Sequence, residues 1–113
     1  MKNYISLKNR YEFGHVYQCG KSFANKNLVI YVVENSGKNN RLGISVSKKV
    51  GNSVVRHRIT RLIRECNRLH QKDMKQGYDI VVVARVSSKE GNYYDIERSF
   101  IHLMRLHGIW NLE

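Results

Sequence analysis

The stretch that decides how this chain folds is residues 48–65, which read KKVGNSVVRHRITRLIRE. It runs from a lysine pair through a glycine turn into a segment whose apolar residues recur at helical spacing. Asn52 or Ser53 is the expected N-cap of this helix, because either side chain can accept a hydrogen bond from a free backbone N–H. Such a helix can pack one face into a core and hold several cations in a fixed array, an arrangement that suits a phosphate backbone.

The predicted helix has an apolar stripe and a basic face. The stripe steps by four, three, four and three residues, through Val55, Ile59, Leu62, Cys66 and Leu69. At about 100° per residue these side chains share one side of the helix. The roughly opposite side is basic and carries His57, Arg61, Arg64 and Arg68. Two more arginines, Arg56 and Arg58, flank the stripe. Like charges this close repel each other, so a partner or a sheet contact must offset them.

Four other stretches predict strands. Lys21–Ala24 predicts a short strand, and residues 28–33 (LVIYVV) predict a strand buried on at least one face. Residues 78–85 (YDIVVVAR) predict a central strand, because five of them in a row are apolar. Residues 41–47 (RLGISVS) alternate, and their second face carries only Gly43, Ser45 and Ser47. Small residues leave room against the sheet for either a bound ligand or a covering helix.

Two further helices are expected on either side of these elements. Residues 7–17 have apolar side chains at helical spacing, with Ser6 as the N-cap and Gly20 as the terminator. Residues 94–107 form the last helix, and residues 108–110 either fray or pack as a tail. The order helix, strands, helix, strand, helix predicts an α+β sandwich, one domain over residues 1–113 with helices mostly on one face.

The charge balance points to a polyanionic partner. The chain has 113 residues with 20 Lys and Arg against 9 Asp and Glu, a formal net charge of +11. A compact domain with this excess attracts nucleic acid at long range, although the surplus could also serve solubility alone. Cys19 and Cys66 are too far apart in sequence for a zinc motif, which favours two reduced thiols in a cytoplasmic protein. Residues 1–6 have no apolar segment typical of a signal peptide, and no stretch is long enough to span a membrane.

No self-sufficient active site is expected. The acids are scattered without a convincing pair, and the five histidines show no metal-binding spacing. Neither cysteine carries a nucleophile signature, and Cys66 falls in the apolar stripe, where a core position is expected. The sequence therefore predicts no catalytic residue and no metal ligand.

Nucleic-acid binding is favoured by two features. The lysine pair and the arginines follow one another within residues 48–68, beside free N–H groups at the helix start that can hold a phosphate. Aromatic residues Phe13, Tyr17 and Tyr31 could stack on unpaired bases if they are exposed. The alternatives are a solvated charged face and an aromatic pair that belongs to the core.

Residues 42–58 (LGISVSKKVGNSVVRHR) and 61–65 (RLIRE) resemble the protein subunit of bacterial ribonuclease P. Residues 7–17 with Gly20 are similar to that family's first helix and turn, and residues 78–85 are similar to its central strand. The resemblance implies a fold like the second domain of ribosomal protein S5, with a left-handed β-α-β crossover. It also implies a role in 5′ maturation of precursor tRNA, with catalysis by a large RNA subunit and its Mg²⁺ ions.

The resemblance carries two sets of residues onto this chain. The set that would grip the catalytic RNA is Lys48, Arg56, Arg58, Arg61, Arg64 and Arg68. The set that would line the cleft for the single-stranded leader is Phe13, Tyr17, Tyr31, Ser45, Ser47 and Lys49. This chain departs from the family at His57, where Asn is usual, and at Thr60, where Lys is common. Both changes leave the arginines in place.

Two other functions remain open at this point. The first is an RNA-binding protein with an S5-like fold that has no catalytic partner and no leader groove. The second is an autonomous nuclease, which the lack of an active-site pattern disfavours. The partners expected from the resemblance are the catalytic RNA and precursor tRNA, with no membrane and no small-molecule substrate.

Overall fold

Residues 5–111 are described here from a computed structural model. Their helices and strands follow in chain order: β1 Ile5–Ser6, α1 Arg10–Cys19, β2 Lys21–Ala24, β3 Leu28–Glu34, β4 Arg41–Ser45, α2 Ser53–His70, β5 Tyr78–Ala84 and α3 Tyr93–Leu106. Two short 3-10 helices, Gln71–Asp73 and Val86–Glu90, flank β5. The strands predicted from the sequence are all present, and each boundary falls within two residues of its expected place.

The strands form one sheet in the order β1-β4-β5-β3-β2. β4 pairs in parallel with both β1 and β5, whereas β3 pairs antiparallel with β5 and β2. Because β4 and β5 are parallel neighbours, α2 is the crossover that joins them. The β-α-β unit implied by the resemblance is therefore present, and its left-handed sense stays an expectation.

The sheet buries one face against two helices and part of the other face against one. Even-numbered residues of β3 and β5 pack with α2 and α3 in the main core, which centres on fully buried Ile30, Ile80 and Phe100. Odd-numbered residues face α1, where Val16 and Val81 are both fully buried. The expected α+β sandwich with helices mostly on one face is thus confirmed, with α1 on the opposite side.

The apolar stripe of α2 is rotated slightly from the predicted one. Ile59 and Cys66 are fully buried as predicted, but Leu69 is 45% exposed. Ile63 and Asn67 are buried instead, because at 100° per residue the line through residues 59, 63, 66 and 67 turns away from position 69. The helix begins as expected, since the Asn52 side chain accepts a hydrogen bond from Val55 N at 3.0 Å.

Helix α1 begins later than the sequence predicted. Its N-cap is Asn9, whose side chain accepts a hydrogen bond from Glu12 N at 2.9 Å, and not Ser6. Ser6 belongs to β1, and Leu7 N donates to Leu42 O at 2.9 Å. The backbone groups of residues 5–7 that pair with β4 cannot also form the first helical turn, so the helix starts at Arg10.

The segment after α3 packs against the domain as far as residue 111. Ile109 is 1% exposed, and its carbonyl accepts a hydrogen bond from Lys75 N at 2.8 Å. Met74 and Trp110 form an isolated antiparallel bridge. Of the two expectations for this tail, packing is therefore the one observed, while residues 112 and 113 lie outside the described part of the chain.

The two cysteines occupy opposite environments. Cys66 lies in the main core, where burial raises the pKa of its thiol to about 12, so the core position predicted for it is confirmed. Cys19 is exposed at the end of α1. Both thiols are free.

His70 should make the stability of the fold depend on pH. Its Nδ1 lies 3.1 Å from Asp73 Oδ2 and its Nε2 lies 2.7 Å from Glu97 Oε2. Two carboxylates at both ring nitrogens require two N–H donors, which only the imidazolium has. Burial acts to lower the pKa of His70, but the hydrogen bonds that its ring donates to Glu97 and Asp73 outweigh it and raise that pKa above its ordinary value of 6.5.

The free energy of unfolding should therefore be highest below pH 6.5 and should fall as the pH rises through the raised pKa of His70. Urea denaturation from pH 6 to 9, compared with His70→Gln, measures the effect. The variant, which cannot become a cation, should show a flatter profile over this window. Parallel profiles for the two proteins would contradict the ion pairs of protonated His70 with Asp73 and Glu97.

Candidate nucleic-acid interface

A tight turn presents the lysine pair to solvent. Val50 N donates to Ser47 O at 3.1 Å, so Lys48 and Lys49 are the central residues of this turn. Both lysines are exposed, while Val50 is 2% exposed and anchors the turn in the main core. The turn therefore has a fixed position between the end of β4 and the start of α2.

The basic face of α2 is exposed along most of its length. Its solvent-facing arginines are Arg58, Arg61, Arg64 and Arg68, and the exposed side chain of His57 is on the same helix. Arg56 is half-buried, and its Nε donates to Gly51 O at 3.2 Å. The array predicted from the sequence is thus present on one helix, although its members differ in their partners.

Arg58 also has a structural role that the sequence did not reveal. Its guanidinium donates to Gly91 O at 3.1 Å and to Lys89 O at 2.6 Å, which ties α2 to the segment before α3. Carbonyl oxygens carry no net charge, so the cation is held in place without being neutralised. The sequence holds no local signal for this contact, because the two segments are more than 30 residues apart.

Arg61 and Arg68 differ in how available they are. Arg68 pairs with Glu65 on the same helix, and both side chains are more than two-fifths exposed. Such a surface pair contributes little stability and can exchange partners at small cost. Arg61, by contrast, makes no hydrogen bond or ion pair within residues 5–111. It borders a shallow depression of about 370 Å³ together with Ser53, Val54, His57 and Arg58.

Phe13 fixes α1 onto the sheet. A Cβ atom on Gly43 would lie 2.6 Å from Phe13 Cζ and 2.8 Å from Cε2, so the ring rests where a side chain would otherwise be. Of the two expectations for the small residues of β4, the covering helix is therefore the one observed at Gly43, whose space Phe13 fills. Ser45 is half-buried and Ser47 is exposed, so both remain open to a ligand.

A row of aromatic rings runs from Phe13 toward solvent. The centroids of Phe13 and Tyr17 lie 6.4 Å apart, and those of Tyr17 and Tyr31 lie 5.0 Å apart in an edge-to-face arrangement. Tyr17 is 40% exposed, whereas Phe13 and Tyr31 are half-buried. The two members of the pair therefore differ: Phe13 packs on the sheet, and Tyr17 is exposed to solvent.

Beside these rings lies a strip of sheet that α1 leaves partly open. The strand register puts Ser45 beside Val83, Val83 beside Val29, and Val29 beside Ala24. These four residues lie on the α1 side by alternation, and each is half-buried or exposed. We call this strip the trough; its floor is the row Ser45, Val83, Val29 and Ala24, and its wall is Tyr17 and Tyr31.

A partly buried ion network holds α1 at the other end of the sheet. Arg41 donates to Asp79 Oδ1 at 2.8 Å and Oδ2 at 2.7 Å, and it pairs with Glu12 on α1 at 3.1 Å. Burial acts to raise the pKa of Asp79, but hydrogen bonds from Arg41 and Asn35 outweigh it and lower that pKa. The network fixes α1, which carries Tyr17 of the aromatic wall. The only sequence signal for it was an acid at the start of an apolar strand.

Within residues 5–111, no group of three or more His, Cys, Asp or Glu side chains is placed to hold a metal ion. Over the same residues, no helix combines the length and the apolar character that crossing a membrane requires.

An arginine-bearing helix beside an aromatic-walled trough, on a domain of net charge +11, defines a basic α+β protein of the nucleic-acid-binding class. Comparison with known proteins narrows this class. The family model described as Ribonuclease P matches residues 1–107. The chain belongs to the ribonuclease P protein family.

Individual relatives agree with the family match. The ribonuclease P protein component of Lachnoclostridium phytofermentans is 62% identical over 104 residues, 92% of this chain and 90% of the relative. The corresponding protein of Clostridium botulinum strain 657 is 54% identical over 112 residues, 98% of this chain and 100% of the relative.

Solved structures share the fold. The RNase P protein of Staphylococcus aureus superposes with a TM-score of 0.87 at 36% identity, covering 94% of this chain and 97% of that one. The RNase P protein from Thermotoga maritima gives a TM-score of 0.83 at 28% identity, covering 89% and 96%.

Proposed function

We propose that this chain is the protein subunit of ribonuclease P and that it helps a catalytic RNA remove the 5′ leader from precursor tRNA. The observation that carries the proposal is that the trough and the basic face of α2 meet at the turn of residues 47–50. The trough ends at that turn on one side, and the basic face of α2 begins on the other. One protein can therefore hold two polynucleotides in a fixed relation.

The basic face of α2 is the proposed contact with the catalytic RNA. Its residues are Lys48, Arg56, Arg58, Arg61, Arg64 and Arg68. RNA phosphates would offset the repulsion among these charges, in addition to the ion pair that Arg68 makes with Glu65. Arginine suits this task because its planar fork can donate two hydrogen bonds to one phosphate.

The trough is the proposed site for the single-stranded leader. Bases would stack on Tyr17 and lie over the floor at Ser45, with Tyr31 supporting the ring of Tyr17 from the sheet. Phe13 would act mainly by positioning the wall, because it is packed on Gly43. Ser47 and Lys49, at the end of the trough, would receive a phosphate.

The scissile step is proposed to belong to the RNA subunit, which makes this chain part of an endonuclease without being its catalytic centre. The Mg²⁺ ions of the holoenzyme would then be bound mainly by RNA. The side chains of residues 5–111 do not form a cluster that fits a resident divalent ion. Such a function on cellular RNA precursors would place the protein in the cytoplasm.

Reconstitution tests the function directly. The protein, mixed with a ribonuclease P RNA at low Mg²⁺, should stimulate cleavage of a precursor tRNA at the 5′ end of the mature sequence. The complex should also bind a precursor more tightly than the same tRNA without its leader. Equal affinity for both would favour a plain RNA-binding protein, and cleavage by the protein without RNA would favour an autonomous nuclease.

Tyr17→Ala should weaken binding of leader-bearing substrate selectively. Losing one stacked base costs about 1–3 kcal/mol, so the Kd of the holoenzyme for precursor tRNA should rise about 10-fold while that for mature tRNA stays unchanged. Tyr11→Ala is the matched control, because Tyr11 is on the same helix and is 85% exposed. Equal effects of the two variants, measured by equilibrium binding, would remove Tyr17 from the site.

A further inference from the structure

The chain reverses direction after α3 and returns to the end of α2. Gly108 has a φ of 75°, a left-handed conformation that glycine adopts without strain, and its N–H donates to Arg105 O at 3.0 Å. The reversal brings residues 109–111 against the 3-10 helix Gln71–Asp73, which directly follows α2. We call residues 108–111 the α3 extension.

Backbone hydrogen bonds attach the α3 extension to the segment between α2 and β5. Asn111 N donates to Asp73 O at 2.8 Å, and Lys75 N donates to Ile109 O at 2.8 Å. Ile109 is also buried in the main core. A short segment that is held by so few groups can open locally while the sheet stays intact.

The docked position of Trp110 leaves two polar atoms unsatisfied. Trp110 Nε1 and Gln71 Oε1 are buried, and neither has a hydrogen-bond partner within residues 5–111. Burial of a polar group without a partner costs free energy, whereas water would supply partners to both atoms on opening. The docked state therefore carries a cost that opening removes.

His70 opposes this cost by joining three elements beneath the Trp110 ring. It is the last residue of α2, its Nδ1 lies 3.1 Å from Asp73 Oδ2, and its Nε2 lies 2.7 Å from Glu97 Oε2 on α3. The ring centroids of His70 and Trp110 lie 5.3 Å apart. A charged ring donates to both carboxylates, whereas a neutral ring has one N–H and turns a nitrogen lone pair toward the other carboxylate. The charge on His70 therefore controls the surface on which Trp110 rests.

We infer that the α3 extension is a pH-sensitive strap, which is docked on the end of α2 while His70 is an imidazolium and is released when His70 becomes neutral. Arg68 lies two residues before His70. Release therefore also loosens the end of α2 that carries the last arginine of the basic face. The inference goes beyond the proposed function and does not depend on it.

The direction of the switch follows from the pKa of His70. Burial acts to lower this pKa, but the hydrogen bonds that the ring donates to Glu97 and Asp73 raise it above its ordinary value of 6.5 in the docked state. Docking should be strongest below pH 6.5 and should weaken as the pH rises through the raised pKa. The docking constant should fall about tenfold for every pH unit between the ordinary and the raised value.

The neutral acids near His70 titrate outside this range. Glu97 accepts a hydrogen bond from the Tyr93 hydroxyl at 3.3 Å, and burial raises the pKa of Tyr93 above its ordinary value of 10. Burial likewise raises the pKa of the Cys66 thiol, which interacts with Tyr93, to about 12. Both groups therefore stay protonated up to pH 9, and a transition below that pH is not theirs.

Trp110 reports docking directly, because it is the single tryptophan of the chain. Acrylamide quenching of its fluorescence, measured on the full chain from pH 6 to 9, should increase as the α3 extension is released. NMR titration of the His70 ring should give the same midpoint. Exchange protection of the Lys75 and Asn111 amides, corrected for the intrinsic rate at each pH, should fall with it. Far-ultraviolet circular dichroism should stay unchanged, because the helices and the sheet remain folded.

Two substitutions test the role of the charge, and a third is their matched control. His70→Gln cannot become a cation, so quenching of Trp110 should be high and independent of pH. Glu97→Gln removes one of the two carboxylates, so the midpoint should move to lower pH, whereas a merely structural role of Glu97 would not move it. His57→Gln removes an exposed histidine from the same helix and should leave the midpoint unchanged.

Three results would overturn the inference. Constant quenching while His70 titrates would mean that the α3 extension stays docked whatever the charge. An equal pH response in His70→Gln would assign the change to another group. Loss of the helical signal at the same midpoint would mean that the whole domain unfolds. If His70→Gln does not fold, Glu97→Gln decides the question, because an unchanged midpoint in that variant would make His70 a fixed support and not a switch.

Discussion

Replacing Arg61 by glutamate should weaken assembly with the catalytic RNA more than any other single change on α2. Arg61 is exposed and makes no bond within residues 5–111, so its loss leaves the fold intact. A hydrogen bond to a charged group contributes about 1.5–3 kcal/mol, and the introduced carboxylate adds repulsion, so the Kd for the RNA should rise about 10- to 100-fold. Filter binding or electrophoretic shift at physiological salt measures the change.

Two comparisons make this result specific. Lys38→Glu reverses an exposed charge in the loop between β3 and β4, away from α2, and should change the Kd far less. Arg58→Ala should weaken assembly but also lower the free energy of unfolding, because the carbonyls of Lys89 and Gly91 lose their donor. Normal assembly by Arg61→Glu would mean that α2 does not face the catalytic RNA.

Gly43→Ala should destabilise the protein and displace the aromatic wall together. The new Cβ would lie 2.6 and 2.8 Å from ring carbons of Phe13 and 3.1 Å from Leu7, so the Phe13 ring must move, and we expect α1 to shift outward with it. Overpacking of this kind costs about 1–3 kcal/mol in the free energy of unfolding. Urea denaturation measures that cost, and the leader-dependent part of substrate affinity should fall in the same variant.

Two variants on α1 test whether contact with Phe13 causes the destabilisation by Gly43→Ala. Gly14→Ala adds a Cβ in α1 that meets nothing within 4 Å, so it should stabilise the helix by about 0.5–1 kcal/mol. Combining Gly43→Ala with Phe13→Leu should cost less than the sum of the two changes, because the smaller side chain vacates the space that the Cβ needs. Strict additivity would show that Phe13 is not what Gly43 accommodates.

The parts of the fold that could be predicted are those specified by local pattern. The N-cap of α2 was predictable as Asn52 or Ser53, because a capping side chain acts within one helical turn, and the structure selects Asn52. The strand through Ile80 was equally predictable, since an uninterrupted run of apolar residues is typical of a strand that is buried on both faces. The spacing of the lysine pair and the arginines was enough to predict the basic face of α2.

The parts that could not be predicted depend on contacts between distant residues. Ser6 looks like a helix cap until β4 is available to pair with it. The hydrogen bonds of Arg58 were equally unpredictable, because its acceptors, the carbonyls of Lys89 and Gly91, are more than 30 residues away in the chain. Gly43 looked like open space because the sequence does not say that the ring of Phe13 comes to rest there.

The trough was predictable in its composition but not in its boundaries. Its aromatic members were named from spacing and resemblance, yet only the register shows that Tyr31 and Ser45 lie on the same side of the sheet. The Arg41–Asp79 pair that steadies α1 had no signal beyond one acid beside an apolar run. Side-chain roles that depend on strand order emerge only once that order is known.

The difference in exposure between the two thiols allows a fluorescent probe to be attached at one site without altering the sequence. Cys19 is exposed two residues from Tyr17, while Cys66 is fully buried. A maleimide fluorophore should therefore attach at one position only in the folded state. On the proposed function, its emission would change when leader-bearing substrate binds beside α1 and again when the processed product dissociates.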